Sequence, residues 1–260
     1  MLVIRIEHPL AFGFGLLGNI LSFMVFLAPL PTFYRVYKKK STESFHSLPY
    51  IVALFSAMLW LYYAILTRDV LLLTINGTAC VFESIYLAIF IVYAPRDALV
   101  FALKLISMLN ILLYGCLVVC TLMFLKERKR IEIMGSVCAS LAVCVFVAPL
   151  SVIKRVIRTK SVEYMPFSLS LFLTLSAIAW FCYGLLRKDT FVAVPNVIGF
   201  IFGMVQMVLY FIYKTPRNGE STSQVVDIEK YQTTNGSTVV EIETTNDSVE
   251  ADKKPGVSKA

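Results

Sequence analysis

The sequence predicts an all-α membrane protein of seven transmembrane helices, arranged as two parallel three-helix-bundle repeats joined by a linker helix (3+1+3). Three observations predict it. Hydrophobic residues make up 58% of the 260-residue chain and charged residues only 16%, too apolar a mixture for a water-soluble domain with a polar skin. Seven continuous apolar runs are each close to the roughly 20 residues that cross a bilayer core. Finally, Val25-Phe26-Leu27-Ala28-Pro29-Leu30 returns as Val145-Phe146-Val147-Ala148-Pro149-Leu150, shifted by 120 positions. The same shift superposes Arg155 on Arg35, Lys160-Ser161 on Lys40-Ser41, Tyr183 on Tyr63, Asp189 on Asp69, Asn196 on Asn76 and Trp180 on Trp60, the chain's two tryptophans. Agreement among such unlike residue types marks an internal duplication.

Taken in order, residues 1 to 9 are too short and too mixed to form a domain. The first span, near 10 to 30, has the length of a signal peptide, but its repeat mate is an ordinary span, so it is expected to be retained. Spans near 47 to 66 and 70 to 94 complete the first repeat, 1–94. A fourth span near 99 to 125, within a linker segment 95–130, has no counterpart. Spans near 133 to 153, 166 to 186 and 190 to 213 form the second repeat, 131–213. All are apolar all round, unlike surface helices, and lack the alternation of a barrel strand. The segment 214–260 turns abruptly to Ser, Thr, Asn, Glu and Lys and is expected to be a disordered cytosolic tail. Four steps separate each helix from its mate, so mates run the same way, about an axis along the membrane normal.

Orientation follows from the short loops. Eleven basic residues (Arg35, Lys38, Lys39, Lys40, Arg96, Lys154, Arg155, Arg158, Lys160, Lys214, Arg217) fall on one side and eight (Arg5, Arg68, Lys126, Arg128, Lys129, Arg130, Arg187, Lys188) on the other. The majority side is expected to be cytosolic, placing the N-terminus outside. The net charge of +7 then reads as a topology signal and not as a nucleic-acid footprint. The six cysteines all fall inside spans, with no histidine or carboxylate nearby to make a metal site of Cys116 and Cys120. No metal or cofactor is expected.

Pro29 and Pro149 lie late in the first and fifth spans, where a proline removes a backbone hydrogen bond and bends the helix. Pro49 and Pro166 lie near the starts of the second and sixth, where first-turn placement is an equal alternative. Asn76 and Asn196 are carboxamides inside hydrocarbon at equivalent points of the repeats, and are expected to face the pseudo-twofold axis. Trp60 and Trp180 are read as interior. Two indole faces and two amides around one axis suit a polyhydroxylated ring, whose C–H faces stack on aromatics and whose hydroxyls pair with amides.

On the stretches Leu27-Ala28-Pro29, Lys40-Ser41-Thr42-Glu43, Ser47-Leu48-Pro49-Tyr50, Thr74-Ile75-Asn76-Gly77, Ala148-Pro149-Leu150-Ser151, Lys160 to Phe167 and Val194-Pro195-Asn196, the chain resembles the SWEET family of plant sugar transporters over residues 1 to 213. Parallel repeats are already a known property of that family. The resemblance implies facilitated diffusion by alternating access, hinge prolines Pro29, Pro49, Pro149 and Pro166, and sugar contacts from Trp60, Trp180, Asn76 and Asn196. It also implies that Ser22, Val25, Ser56, Val145 and Ser176 set substrate size. Small valines at those positions imply a sucrose carrier of the plasma membrane, with glucose as a further cargo, and small residues leave room for a disaccharide. Ser22 maps onto Ala142, so the pocket is not fully symmetric.

Coupling to protons needs a buried ionisable group. Glu83, whose mate is Gly203, is the clear candidate within the spans; its expected role is a clasp between helices, which makes the chain a uniporter. A proton-coupled carrier using Glu83 is the alternative, and a seven-helix receptor is a second, disfavoured because a receptor has no evident reason to duplicate a three-helix unit. An enzyme is not expected, because both histidines, His8 and His46, lie outside the spans. Lipid-facing surface leaves room for a homo-oligomer, but no small-xxx-small face nominates its interface.

Overall fold

The computed structural model describes residues 9–43, 45–145, 147–162, 165 and 167–214. The expectations for the N-terminal residues, for the tail beyond Lys214 and for Pro166 lie outside the described residues. Every regular element among those described is helical. The first span is α1 (Pro9–Phe26) followed by α2 (Leu30–Lys39), and the second and third are α3 (Leu48–Thr67) and α4 (Val70–Tyr93). The fourth runs as α5 (Arg96–Ile106), a π-helical stretch Ser107–Leu113 and α6 (Tyr114–Phe124). The second repeat comprises α7 (Glu127–Val145), α8 (Val147–Thr159), α9 (Phe167–Arg187) and α10 (Thr190–Tyr213). Seven helical runs are long and apolar enough to cross a membrane.

The first and fifth runs extend well past the expected ends at 30 and 153, reaching Lys39 and Thr159. The reason is that hydropathy registers where hydrocarbon ends, whereas backbone hydrogen bonding continues. These extensions are amphipathic: Phe33 and Val36 are buried on α2 while Lys38 and Lys39 occupy its last turn, and Val156 is buried on α8 with Arg158 near its end. The expectation of apolar helices concerned the spans to 30 and 153; the extensions beyond them are amphipathic.

Each repeat closes on a tight two-residue turn. Arg68 (φ 56°) and Lys188 (φ 55°) take the left-handed conformation, and the aspartate that follows caps the next helix. Asp69 accepts from the Leu72 amide at 3.0 Å; Asp189 accepts from the amides of Phe191 and Val192 at 3.0 and 3.2 Å. Within the repeats α4 packs on α1 and α3, and α10 on α7 and α9. Between them α1 meets α9 and α3 meets α7. The matched pairing is what a twofold relation requires.

The linker helix breaks that symmetry by lying along α3. Tyr62 on α3 shares a hydrogen bond of 3.1 Å with Thr121 on α6, while the mate of Tyr62 is Cys182, which has no phenol to offer. A second anchor is apolar: Phe33, Ile51, Tyr86, Leu87 and Phe90 bury Ala102 of α5, with Phe33 stacked on Tyr86 at 4.6 Å. Arg130 turns back to the carbonyls of Thr121 and Leu125, both at 3.0 Å, and so closes the end of α6.

Close approach of α9 to α10 depends on Gly184. A methyl group there would stand 2.7 Å from the Ala193 nitrogen and 3.0 Å from its Cα, both backbone atoms that cannot swing aside. Gly184→Ala is expected to lower the melting temperature of the detergent-solubilised protein, at a cost of about 1–3 kcal/mol. Gly115→Ala, where nothing lies within 4 Å, is expected to leave it unchanged.

Candidate substrate site

A cavity of about 300 Å³ lies where the repeats face each other, within the size range of small-molecule sites, and both repeats contribute to it. α1 supplies Ser22, Val25 and Phe26; α3 supplies Trp60; α4 supplies Leu72, Ile75 and Asn76. From the second repeat come Ala142 of α7, Leu173, Ser176 and Trp180 of α9, and Val192, Pro195 and Asn196 of α10. The pairs Trp60/Trp180, Asn76/Asn196, Leu72/Val192 and Ser22/Ala142 all obey the shift of 120, so the cavity straddles the pseudo-twofold relation.

The two amides are held alike. Asn76 Nδ2 donates to the Leu72 carbonyl at 2.9 Å and Asn196 Nδ2 to the Val192 carbonyl at 2.7 Å. Each bond uses one of the two amide donors and fixes the side chain, leaving a second N–H and the carbonyl oxygen for a ligand. The indoles flank them. Pro195 removes a backbone donor within α10, which runs through it from Thr190 to Tyr213.

Of the residues expected here, seven line the cavity: Ser22, Val25, Trp60, Asn76, Ser176, Trp180 and Asn196. Two do not. Val145 is 44% exposed, whereas its mate Val25 stays in the wall. Ser56 is half-buried within α3 and outside the lining.

The prolines divide similarly. Pro29 lies at the break between α1 and α2, where the Leu30 amide bonds to the Leu27 carbonyl at 3.1 Å in place of the Phe26 carbonyl. That freed Phe26 carbonyl accepts from the Tyr86 hydroxyl at 2.5 Å. Pro149 lies within α8. Pro49 stands in the first turn of α3, where its absent N–H costs no intrahelical bond.

Sequence reasoning missed the closure at one end of the cavity. Tyr63 donates to Asp189 Oδ2 at 2.9 Å, and Tyr183 donates to Asp69 Oδ2 at 2.6 Å. The two bonds are mates under the shift of 120, and each crosses from one repeat to the other. Trp60 meets Tyr63 edge-on at 5.7 Å and Trp180 meets Tyr183 at 5.4 Å, so the tyrosine layer sits directly beside the indoles. A second cavity of about 310 Å³ is lined by Tyr63, Asp69, Arg187, Lys188 and Asp189. All four closure residues are register marks of the shift of 120; the signal that finds them is an aspartate between two spans, matched by a mate. At the lysine-rich end, by contrast, Lys40 bonds Tyr93 at 2.9 Å and Lys160 bonds Tyr213 at 2.8 Å, each within its own repeat.

Fold and cavity together define a polytopic membrane protein on the parallel-repeat plan found among transporters. The family model described as "Sugar efflux transporter for intercellular exchange" matches residues 12–98 and 132–218, two stretches again 120 apart. The chain belongs to this family, the SWEET transporters. It is 56% identical over 226 residues to the bidirectional sugar transporter SWEET12 of Oryza sativa subsp. japonica, covering 86% of this chain and 75% of that one. It is 51% identical to the bidirectional sugar transporter SWEET11 of Arabidopsis thaliana, over 85% of this chain and 78% of the relative. Among solved structures, a eukaryotic SWEET transporter superposes with a TM-score of 0.76 at 35% identity, over 80% of this chain and 98% of that one.

Burial raises the Asp189 carboxyl above the ordinary 3.8, against the opposing pull of the Tyr63 hydroxyl and the two capping amides. A carboxyl raised on folding binds more protons folded than unfolded, so its contribution to stability falls as pH rises from 3.8 through the raised value. Relative to Asp189→Asn, the melting temperature of the unsubstituted protein is expected to rise on acidification across that window.

Proposed function

We propose that the chain is a bidirectional facilitative sugar carrier, a uniporter that effluxes sucrose across the plasma membrane by alternating access and also accepts hexoses. The observation that carries this reading is the cavity itself, where two indoles and two anchored amides from equivalent positions converge. Aromatic faces stack on the C–H surfaces of a sugar ring and the free amide groups pair with its hydroxyls. Both relatives described above are named bidirectional sugar transporters. Ser22, Val25 and Ala142 are small side chains in the wall, which favours a disaccharide over a single ring.

The N-terminus is placed outside and the tail inside the cell, on the strength of the loop charges. The Tyr–Asp closure then faces the exterior and the lysine-rich helix ends face the cytosol. The segments 1–94, 95–130 and 131–213 act as first repeat, linker and second repeat. Rocking of one repeat against the other breaks the crossed bonds as the outer end opens, with Pro29 and Pro149 as hinges. A neutral sugar needs no counter-ion in the cavity, and Glu83 is not among its lining residues.

The test is flux of labelled sucrose and labelled glucose into proteoliposomes of the purified full chain, with neither ion gradient nor voltage. Sucrose is expected to equilibrate faster than in empty vesicles. Trp60→Ala or Asn196→Ala is expected to slow it roughly tenfold or more, as loss of a buried contact of this kind does. Glucose flux without sucrose flux would retain the carrier and remove the argument from small wall residues. Flux that appears only under an imposed proton gradient would replace the uniporter by coupling through Glu83, whose Oε2 is buried without a hydrogen-bond partner.

A further inference from the structure

Trp60 and Trp180 occupy equivalent places in the two repeats, yet their surroundings differ. Trp180 is 7% exposed, whereas Trp60 is only half-buried. Trp180 Nε1 donates to Ser22 Oγ at 3.1 Å, and that hydroxyl is also paired with Ser176 Oγ at 2.8 Å. The indole also rests against Gly18, where an added methyl would stand 2.8 Å from its Cε2 and 3.0 Å from its Nε1. Gly18 and Ser22 are four residues apart on one face of α1. Together they form a seat and an acceptor for Trp180.

The mates of these two residues on α7 are Cys138 and Ala142. Ala142 has no hydroxyl to accept an N–H, and Cys138, fully buried, adds a side chain where glycine leaves space. Trp60 therefore has neither seat nor acceptor. Among the described residues its Nε1 makes no hydrogen bond, although it lines the same cavity. An indole N–H in a membrane-embedded site gains from a partner, and the cavity is where one can be supplied.

We infer that the site is chemically one-sided: Trp180 is a fixed wall whose donor is consumed within the protein, and Trp60 is the indole that donates to a hydroxyl oxygen of the bound sugar. The inference rests on the sugar-carrier reading above. Its consequence is that a near-symmetric cavity holds its cargo in one orientation. Positions 18 and 22 against 138 and 142 are then the determinants of that choice, because they decide which indole remains free.

The chain's two tryptophans are its only ones, so Trp60→Phe and Trp180→Phe each keep an aromatic face, delete one donor and leave a single reporter. The experiment titrates sucrose and glucose into the purified full chain and the variants in lipid nanodiscs, following tryptophan emission, while a radiolabelled-sugar assay records Kd for the unsubstituted protein and for every variant. In Trp180→Phe the emission of Trp60 is expected to shift saturably with sugar; in Trp60→Phe the emission of Trp180 is expected to stay still, and Kd to weaken roughly threefold to tenfold, as loss of one hydrogen bond does. Ala142→Ser, which keeps both indoles, supplies the missing acceptor and is expected to blunt the Trp60 response and weaken binding. Sugar binding to the unsubstituted protein with an equal or larger response from Trp180, or full affinity in Ala142→Ser, would overturn the inference and leave the carrier reading standing. Absence of binding by either sugar to the unsubstituted protein would overturn both.

Discussion

Two hydrogen bonds that cross between the repeats, Tyr63 to Asp189 and Tyr183 to Asp69, set the conditions for much else in this molecule. Each aspartate has two roles at once, capping the helix that follows it and receiving a hydroxyl from the opposite repeat. A carboxyl removed from water is costly unless its oxygens are occupied, so these side chains constrain both the turn that carries them and the tyrosine that reaches them. That tyrosine in turn lies three residues beyond a tryptophan of the cavity wall. Turn, closure and indole are thereby linked on each side of the pseudo-twofold relation, and the cavity begins where the crossed bonds end.

Backbone chemistry in hydrocarbon explains the other end. Where α1 breaks before Pro29, a carbonyl loses its helical partner, and no water from a lipid environment replaces it. The Tyr86 hydroxyl fills that place at Phe26. Tyr86 is itself buried and stacked on Phe33 of α2, so one side chain supports the segments before and after the break. Its mate is Gln206, also buried, which shows that the duplicated architecture is preserved while the chemistry at a matched position changes.

Departures from symmetry are as informative as the symmetry. Tyr62 against Cys182, together with the cluster that buries Ala102, anchors the linker helix along the first repeat. Gly18 and Ser22 against Cys138 and Ala142 make two equivalent indoles unequal. A perfect duplicate would bind an asymmetric cargo in two orientations with equal ease; the inequality of the indoles is what distinguishes the two sides here.

By itself the sequence determined the membrane class, the seven spans, the duplication and the convergence of Trp60, Trp180, Asn76 and Asn196, because all of these are written in hydropathy and in a fixed shift of 120, which are properties of the chain read linearly. The helical extensions α2 and α8 escaped it, since hydropathy falls where lipid ends but helices do not. Tyr63, Tyr183, Asp69 and Asp189 were legible only as matching letters. Their crossed pairing, the placement of Val145 and Ser56 outside the cavity lining, the seat of Trp180 on Gly18 and Ser22, and the capture of the Phe26 carbonyl by Tyr86 were decided only by the tertiary structure. The physical reason is common to all of them: hydrogen-bond partners and burial depend on distances between residues far apart in sequence, and linear periodicity carries no record of those distances.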